Sequence, residues 1–484
     1  MSRVLDAIVE HARRAPEAPA LTDGVSTYSW SALLHEIASA SVWLEGELEG
    51  LPEDAPVGIT LDNGPAWVVI DLALISLGRA GVPLPPFFTP EQRLHALTDA
   101  GACLLVRPAV QGAAATIIGG AALAAQRLAA EPFRLQPGAA KVTYTSGSTG
   151  APKGVCLSQA QMEAVAGSIV AALGPGYAGR HLAVLPLGVL LENVAGLYAS
   201  LIAGGCYEAR SLAELGFAEG LRPDIPRLIA RLADSEIESV ILVPELLRAL
   251  TAGLATSGAR LPRLKLAAVG GAKLAPQLIA AARAVGLPAY EGYGLSECAS
   301  VVALNTPGDD RPGSVGRVLP HLEVRIADDG EILVGPSPFL GYVGGPAQGG
   351  ELRTGDLGRL DADGRLWIEG RKSNLLITAY GRNIAPEWVE SELLAQPEIA
   401  QAAVFGEGAA ELCAIVVPSR GDLGPEALEA AVARANAGLP AYARVGRWTG
   451  SRPFEAALGE LTGNGRPRRG VLGRTHAAFI DNQI

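Results

Sequence analysis

Residues 142–158 read V-T-Y-T-S-G-S-T-G-A-P-K-G-V-C-L-S, and the interpretation of the whole chain depends on them. An apolar, strand-like beginning is followed by a run of Thr, Ser and Gly at 145–150. Glycine lets the backbone approach a ligand closely, and exposed N–H and hydroxyl groups can surround an oxyanion. Lys153 adds a point charge suited to phosphate. The stretch therefore predicts a phosphate-binding loop rather than a plain surface loop, and it lacks the G-x-x-x-x-G-K-[ST] pattern of a Walker A motif.

The bulk composition is that of an acidic globular protein. The 484 residues are 49% hydrophobic and 18% charged, which is enough for more than one packed core. A formal net charge of −11 argues against a nucleic-acid partner but still allows a local basic pocket. The most apolar stretch, residues 66–82, is interrupted by Asp71 and Arg79, so we predict no transmembrane helix. The amphipathic N-terminus has no apolar signal core, and we expect a cytoplasmic protein.

Cysteine and lysine are informative through their numbers. The five cysteines are scattered without a C-x-x-C pair, which predicts buried free thiols and neither a zinc site nor a disulfide framework. Of the 39 basic residues only five are lysines: Lys141, Lys153, Lys265, Lys273 and Lys372. A basic position in this chain is therefore arginine by default.

Strand-like and helix-like segments alternate, which predicts an α/β fold with sheets covered by helices. The pattern Tyr28-Ser29-Trp30 predicts a strand that ends at a helix N-cap. Residues 107–140 are rich in Ala and Gly, and we expect a short strand and then a helix near 120–130. Further helices are predicted at 63–78, 159–173, 385–394 and 425–439, and further strands at 57–61, 181–186, 239–243, 264–269, 404–405 and 412–417.

A second group of residues with ligand chemistry lies at 290–299, Y-E-G-Y-G-L-S-E-C-A. The aromatic ring of Tyr293 beside Gly294 offers a stacking face for a purine. The Ser296 hydroxyl can reach a phosphate, and Glu297 supplies the hard oxygen ligand that Mg²⁺ prefers. Taken alone, such a string is more often an ordinary loop.

A third group lies between residues 350 and 390. Asp356, in Thr-Gly-Asp, offers two acceptor oxygens to a vicinal diol such as ribose, and its alternative role is that of a turn residue. Arg371, in Gly-Arg-Lys, can give charge-assisted hydrogen bonds to a sugar or a phosphate. Between them, Asp363-Gly364 predicts a hairpin turn rather than a calcium loop, because the acidic series stops at once.

Together these groups resemble the motifs of the adenylate-forming superfamily, which contains acyl- and aryl-CoA synthetases, peptide-synthetase adenylation domains and luciferases. The resemblance covers about residues 142–469 and is greatest to the AMP-forming long-chain fatty acyl-CoA synthetases. It implies that a carboxylate attacks the α-phosphate of MgATP to give acyl-AMP and pyrophosphate, and that a thiol then displaces AMP to give a thioester. The implied cofactors are ATP, Mg²⁺ and coenzyme A.

The resemblance also implies which residues perform this chemistry. The Gly-Gly-Ala turn after a strand, residues 270–272, is expected beside the adenine, and Glu297 is the expected metal ligand. The catalytic residues would be Arg466, Lys153, Ser296 and Glu297. The nucleotide-binding residues would be Thr145, Ser146, Gly147, Ser148, Thr149, Gly150, Lys153, Gly270, Gly271, Ala272, Tyr293, Gly294, Ser296, Asp356 and Arg371.

The resemblance divides the chain into two domains. Residues 1–371 would form a large adenylation domain of parallel and mixed sheets with a small β-barrel-like part, and residues 372–484 a small, mobile α+β domain. The hinge position, usually Asp or Glu in the family, is Asn374. Rotation about it would let one pocket serve both half-reactions. Gly381 lies on the loop that would then face the site, where it would leave room for a pantetheine arm.

The last motif departs from the family. Residues 461–469, L-T-G-N-G-R-P-R-R, resemble T-x-x-G-K-x-x-R, but Arg466 stands where the family has its catalytic lysine. No lysine follows Lys372, so no shift of register restores one. Two interpretations are open. In the first, which we favour, Arg466 replaces the lysine and neutralises charge on the carboxylate and the α-phosphate. In the second, adenylation is weakened or lost because a guanidinium is bulkier than an ammonium.

The carboxylic acid substrate is expected to be hydrophobic. Residues 187–205 are apolar nearly throughout, which predicts a core helix. The resemblance implies that this segment also borders the carboxylate substrate. Many relatives carry a histidine shortly after the Pro-Leu, whereas this chain has Gly188, Val189 and Leu190. Three alternatives to a fatty acyl-CoA ligase stay open: an aryl-CoA ligase, an enzyme that loads an acyl-carrier protein, and a nucleotide-binding relative that no longer adenylates.

Overall fold

The computed structural model describes residues 2–112, 114–129, 135–145, 152–217, 223–234, 236–462 and 466–481. They form a large α/β domain with mixed sheets and a smaller C-terminal domain. A π-helix (Leu191–Tyr198) runs directly into the sixth α-helix. The α-helices are α1 (Arg3–Arg14), α2 (Trp30–Leu48), α3 (Pro65–Ser76), α4 (Pro90–Ala100), α5 (Gln159–Leu173), α6 (Ala199–Ala203), α7 (Ile225–Asp234), α8 (Pro244–Ser257), α9 (Pro276–Ala284), α10 (Pro386–Leu394), α11 (Pro425–Ala437), α12 (Arg469–Thr475) and α13 (Ala477–Ile480).

The strands are distributed over five sheets, and most of them are short. They are β1 (Pro19–Thr22), β2 (Thr27–Ser29), β3 (Val57–Ile59), β4 (Gly81–Pro83), β5 (Leu104–Pro108), β6 (Thr116–Ile118), β7 (Ala121–Arg127), β8 (Lys141–Thr145), β9 (Lys153–Leu157), β10 (Arg180–Leu182), β11 (Cys206–Glu208), β12 (Ile237–Leu242), β13 (Leu266–Val269), β14 (Ala289–Tyr293), β15 (Ala303–Leu304), β16 (Arg317–Val318), β17 (Glu323–Ile326), β18 (Glu331–Gly335), β19 (Gly341–Tyr342), β20 (Leu352–Leu360), β21 (Leu366–Arg371), β22 (Leu376–Ile377), β23 (Asn383–Ile384), β24 (Ile399–Phe405), β25 (Leu412–Pro418) and β26 (Val445–Gly450).

Two large sheets form the N-terminal domain. One has nine strands in the order β16-β15-β14-β13-β12-β10-β11-β1-β2, and the other has eight in the order β19-β9-β8-β4-β3-β5-β7-β6. The centre of each is parallel, and antiparallel strands complete the edges. Helix α3 belongs to the main hydrophobic core, and all its residues from Pro65 to Leu74 are buried. Such an all-round apolar helix is stable only inside a protein.

Three smaller sheets complete the described fold, and one of them is the two-stranded β22-β23 hairpin. Another is an antiparallel sheet in the order β17-β18-β20-β21, built from residues between 323 and 371. In the C-terminal domain, β24-β25-β26 packs with α10 and α11 around a core of its own that includes Val389, Leu393 and Val416. Each domain therefore has a hydrophobic core of its own.

Most local predictions from the sequence are confirmed. Ser29 is the N-cap of α2 and accepts a hydrogen bond from the Ala32 amide at 3.2 Å. The predicted helix at 159–173 coincides with α5, whose Ser158 forms a capping box with Gln161. The five cysteines are free and buried. Among the described residues, no helix is long and apolar enough to cross a membrane.

The helix predicted near 120–130 is wrong. Residues Ala121–Arg127 form β7, which pairs antiparallel with both β5 and β6. Alanine has the highest intrinsic helix propensity, but propensity is a weak preference that pairing with neighbouring strands overrides. The Ala-rich sequence carries no sign of those partners.

The segment predicted as an apolar core helix is helical, but its polar residues matter more than expected. Glu192 is fully buried and accepts hydrogen bonds from the Tyr207 hydroxyl at 2.9 Å and the Leu185 amide at 3.2 Å. The next residue, Asn193, contacts the buried Lys141 ammonium. The wider turn of the π-helix thus begins at residues that anchor it to the strands beneath.

Lys141 is the centre of a buried ionic cluster that joins α3, β8 and the π-helix. Its ammonium lies 2.7 Å from a carboxylate oxygen of Asp71 and 2.8 Å from the Tyr198 hydroxyl. Only 2% of each side chain of the ion pair is exposed. Burial lowers the pKa of Lys141, and Asp71 opposes that effect. A buried charge with these partners is fully compensated, so the cluster fixes the relative position of three elements.

Candidate nucleotide site

The strands on either side of the predicted phosphate loop form a hairpin. Thr145 at the end of β8 pairs directly with Lys153 at the start of β9. This antiparallel register places both ends of the loop side by side, and Lys153 is exposed at its exit. The predicted loop residues Ser146, Gly147, Ser148, Thr149 and Gly150 lie outside the described residues.

Glu297 lies close to Lys153 through a residue that the sequence did not single out, Tyr342. Strand β19 pairs with β9, which aligns Tyr342 with Val155 and places its ring 5.7 Å from the Lys153 ammonium nitrogen. The Tyr342 hydroxyl donates a 2.8 Å hydrogen bond to Oε1 of Glu297. Burial, with Glu297 next, raises the pKa of Tyr342, so the phenol stays a donor. Tyr342 therefore links the predicted cation and the predicted metal ligand.

A second set of predicted residues meets at Asp356. The Tyr293 hydroxyl donates to one carboxylate oxygen at 2.7 Å, and Arg371 donates from Nε to the other at 2.8 Å. Asp356 and Arg371 are cross-strand neighbours on β20 and β21, which fixes this ion pair. Burial raises the pKa of Asp356, while Arg371 and the Tyr293 hydrogen bond lower it. The carboxylate is thus held in place by partners from two different sheets.

The glycines of the site are where backbone geometry requires them. A Cβ on Gly294 would lie 1.6 Å from the Ser300 carbonyl oxygen, so any side chain would clash. Gly271 has a φ of +98°, which residues with a Cβ rarely adopt. The Gly270-Gly271-Ala272 turn follows β13, and its last two residues are exposed. The turn therefore lies at the surface of the domain.

Arg466 reaches this turn from the C-terminal domain. Its Nη2 donates a hydrogen bond to the Gly271 carbonyl oxygen. The residue has an exposed surface, yet the protein atoms crowded around its guanidinium lower its pKa, and the nearby Arg371 adds to that effect. Asp356 acts in the opposite direction. Arg371 contacts Asp356 directly, whereas Arg466 is attracted by Asp356, Glu245 and Glu387 and contacts the Gly271 carbonyl.

The protein's own side chains would supply only part of a magnesium site. A substrate would have to provide the other ligands. The described residues contain no group of three or more His, Cys, Asp or Glu side chains that could hold a metal. Glu297 alone is a suitable carboxylate, partly exposed, with Oε1 oriented by Tyr342. Mg²⁺ commonly binds through one or two carboxylates, substrate phosphates and water.

Of the remaining predicted residues, Ser296 lies beside Glu297, whereas Asn374 and Gly381 lie in the C-terminal domain. Ser296 begins a 3₁₀ turn (Ser296–Cys298) that also carries Glu297. Asn374 donates a 2.5 Å hydrogen bond to Glu387 at the start of α10. Gly381, with a φ of +69°, is exposed on the β22–β23 hairpin, where a Cβ would meet no atom within 4 Å. Asn374 and Gly381 are therefore not part of the cluster in this arrangement of the domains.

Sequence reasoning missed two residues, Tyr342 within the site and Glu387 beside the predicted hinge. Tyr342 follows a glycine in a turn-rich stretch, and nothing in its spacing connects it with Lys153. Glu387 accepts hydrogen bonds from both Asn374 and Arg469, the latter at 3.1 Å. A search for carboxylates next to the predicted hinge would have found Glu387, because it directly follows the Pro of the Ala-Pro-Glu sequence.

Comparison with known proteins places this geometry in a family. The model of the AMP-binding enzyme family matches residues 8–352, and the model of its C-terminal domain matches residues 373–481. A long-chain-fatty-acid–CoA ligase, FadD15 of Mycobacterium bovis, is 41% identical over 172 residues, which are 34% of this chain and 28% of that protein. A putative fatty-acid–CoA ligase, fadD11 of Mycobacterium tuberculosis, is 30% identical over 62% of this chain and 61% of its own length.

The alignments therefore span less than two thirds of these two relatives. A solved structure, that of the anthranilate CoA ligase AuaEII with anthranoyl-AMP, superposes with a TM-score of 0.82 over 99% of this chain and 98% of that one, at 20% identity, and so supports the fold. The family model alone covers well over half of the chain. The chain belongs to the AMP-binding enzyme family, which is the adenylate-forming superfamily.

Proposed function

We propose that this protein activates a hydrophobic carboxylic acid, a fatty acid in the first instance, with MgATP and transfers the acyl group to the thiol of coenzyme A. The observation that carries the proposal is the contact of Arg466 with the Gly271 carbonyl, beside the Tyr293–Asp356–Arg371 cluster. A cation from the small domain is thus at the turn where the family resemblance expects the nucleotide. The names of the relatives support a fatty acid as substrate.

In the first half-reaction two anions must meet, so positive charge has to offset their repulsion. Lys153 would bind the phosphates that leave as pyrophosphate, together with the loop at 146–151. Arg466 would neutralise charge on the carboxylate and the α-phosphate as the acyl–phosphate bond forms. Asp356 would accept hydrogen bonds from the ribose hydroxyls, with its own orientation fixed by Tyr293 and Arg371.

Glu297 would hold Mg²⁺ against the phosphates, where the ion supplies charge neutralisation and orientation. Rotation of the small domain about Asn374, at the proposed boundary after residue 371, would then remove Arg466 from the site. In the rotated arrangement Gly381 would line the approach of the thiol, which attacks the acyl carbon and releases AMP. The domain boundary, the hinge and these residue roles are all part of the proposal.

The test is a pyrophosphate-release screen with MgATP over fatty and aromatic acids, followed by thioester formation with coenzyme A or an acyl-carrier protein as acceptor. We expect release with fatty acids and transfer to coenzyme A. Release only with aromatic acids would assign the chain to the aryl-CoA ligases, and transfer only to a carrier protein would overturn the acceptor. ATP binding without release for any acid would show a nucleotide-binding relative that no longer adenylates.

A matched pair of lysine variants tests the site itself. Lys153→Ala should reduce carboxylate-dependent pyrophosphate release about 100-fold or more, the typical effect of losing one such stabilising contact. Lys265→Ala removes an exposed lysine that is paired with Glu238 at 2.7 Å, and it should leave the rate unchanged. Equal rates for Lys153→Ala and the wild type would refute the assignment of the phosphate loop.

A further inference from the structure

Arg248 of helix α8 connects the N-terminal domain with the C-terminal domain. Its Nη1 donates to the carbonyl oxygens of Leu394 at 3.2 Å and Ile399 at 3.3 Å, and its Nη2 donates to that of Ala400 at 3.0 Å. All three acceptors belong to the C-terminal domain. One half-buried guanidinium therefore holds three backbone groups of the other domain.

The three carbonyl groups are suited to a cation. Leu394 is the last residue of α10, where helical carbonyl groups lack partners and the helix dipole is negative. Ile399 and Ala400 begin β24, which is the edge strand of its sheet. Edge strands leave backbone groups unpaired. Arg248 thus supplies donors to acceptors at a helix end and at a sheet edge of the small domain.

The position of Arg248 at the interface disfavours its charged form. Burial lowers the pKa of Arg248, and the nearest compensating carboxylate is Glu245, one turn earlier on α8. The same Glu245 acts on Arg466. Two arginines therefore cross the domain interface in opposite directions beside the N-terminus of α8: Arg248 toward the small domain and Arg466 toward the large one.

Gln277 and Lys273 also act across this interface. Gln277 donates a 3.0 Å hydrogen bond to Glu392. The Lys273 ammonium donates a 2.8 Å hydrogen bond to the Ile368 carbonyl of its own domain and is attracted by Glu387 and Glu392. Since Arg248 makes three charge-assisted hydrogen bonds, its loss changes the interface more than the loss of either of the others.

We propose that Arg248 is a positioning residue for the first half-reaction: it holds the small domain in the orientation that places Arg466 at the Gly271 turn. The inference rests on the proposed function in assigning Arg466 to adenylation. Rotation of the small domain has to break the three hydrogen bonds of Arg248, so they stabilise only the adenylating arrangement. Arg248 touches no reacting group and acts through Arg466.

The kinetic test compares Arg248→Met, Arg248→Lys and the exposed control Arg263→Met in the two half-reactions, measured as pyrophosphate release and as thioester formation from synthetic acyl-AMP. Arg248→Met should lower the rate of acyl-AMP formation by about tenfold or more and leave thioester formation at or above that of the wild type. Arg248→Lys should recover part of the loss, and Arg263→Met should behave as the wild type. Equal losses in both half-reactions would overturn the proposal.

A double-mutant cycle separates positioning from general damage. If Arg248 acts through Arg466, Arg248→Met should have little further effect on adenylation in an Arg466→Ala background. Losses that multiply independently would contradict this mechanism.

The relative position of the two domains can be measured without an activity assay. Spin labels at Thr256→Cys in α8 and Glu426→Cys in α11 occupy exposed positions of the two domains, and the five native cysteines are buried. Adding Arg248→Met should broaden the distance distribution of the unliganded protein or shift it to a second distance. An unchanged distribution would overturn the proposal even in an active enzyme. Absence of both half-reactions in the wild type would instead refute the proposed function and leave this measurement interpretable.

Discussion

Replacement of Arg466 is the most informative perturbation of this protein, because it tests whether this arginine takes the role of the family's lysine in acyl-AMP formation. We expect Arg466→Ala to lose most acyl-AMP formation and Arg466→Lys to retain or raise it. The loop that carries the residue does not depend on its side chain. Arg466 and Thr462 are joined by hydrogen bonds from the Arg466 amide to the Thr462 hydroxyl at 3.1 Å and from the Thr462 amide to the Arg466 carbonyl at 2.8 Å.

The expected magnitude follows from which contacts disappear. In the resting protein Arg466→Ala removes one hydrogen bond to a neutral carbonyl, that of Gly271, so we expect little loss of stability. In the transition state it removes a positive charge from the point where two anions approach, which typically costs about 2.7–4 kcal/mol, or roughly 100- to 1000-fold in rate. Arg371 remains nearby, but its Nε is committed to Asp356.

The two half-reactions are assayed separately, as pyrophosphate release in a single turnover and as thioester formation from purified acyl-AMP and coenzyme A. Only the first should respond, because rotation carries Arg466 out of the site before thiol attack. Arg474→Ala, an exposed position of α12, is the matched control. Wild-type adenylation in Arg466→Ala would remove Arg466 from catalysis, and equal damage to both steps would indicate a structural role in seating the small domain.

Three further outcomes are expected. Tyr342→Phe removes the 2.8 Å hydrogen bond to Glu297 but keeps the ring beside Lys153, so the apparent KM for Mg²⁺ should rise with the melting temperature nearly unchanged; an unaltered Mg²⁺ titration would contradict the link. Lys141→Met leaves Asp71 buried without its cation and should lower the free energy of unfolding by about 3–5 kcal/mol in denaturant. The double variant Lys141→Met with Asp71→Leu should recover much of that loss. A single variant as stable as the wild type would show that the pair is dispensable. Burial raises the pKa of Glu291 to about 8, so folding takes up a proton between about pH 4.5 and 8 and stability falls as pH rises through that window; Glu291→Gln should therefore raise the melting temperature more at pH 8.5 than at pH 5.5, and an equal effect at both pH values would contradict the shift.

The sequence predicts features whose signal is local. Capping residues and apolar periodicity located α2 and α5, because a cap and its partner lie within one turn of each other. The helix expected at 120–130 failed because β7 is defined by pairing with β5 and not by its own alanines. Tyr342 was missed for the same reason: its partner Lys153 is a neighbour only through the pairing of β19 with β9.

Residues of the domain interface are still harder to predict. Arg248 donates to a carbonyl 152 residues further along the chain, and backbone carbonyl groups carry no sequence signal at all. Arg466 could be recognised because it belongs to a motif with a known spacing, whereas Arg248 is one of many arginines in a chain that prefers them. A motif identifies the group that reaches the substrate, but the contacts that hold that group in position can be found only once the two domains are seen together.

The substitution of arginine for lysine at position 466 is consistent with the surroundings that the structure gives it. A guanidinium has five N–H donors in a planar fork, so one can be used on the Gly271 carbonyl while others remain for a ligand. An ammonium is a compact point charge with three donors and would be attracted less specifically by that carbonyl. Asp356, Glu245 and Glu387 all attract the charge of Arg466. The N–H donors of Arg466 that the Gly271 carbonyl does not use would therefore bind a nucleotide phosphate or a substrate carboxylate through charge-assisted hydrogen bonds.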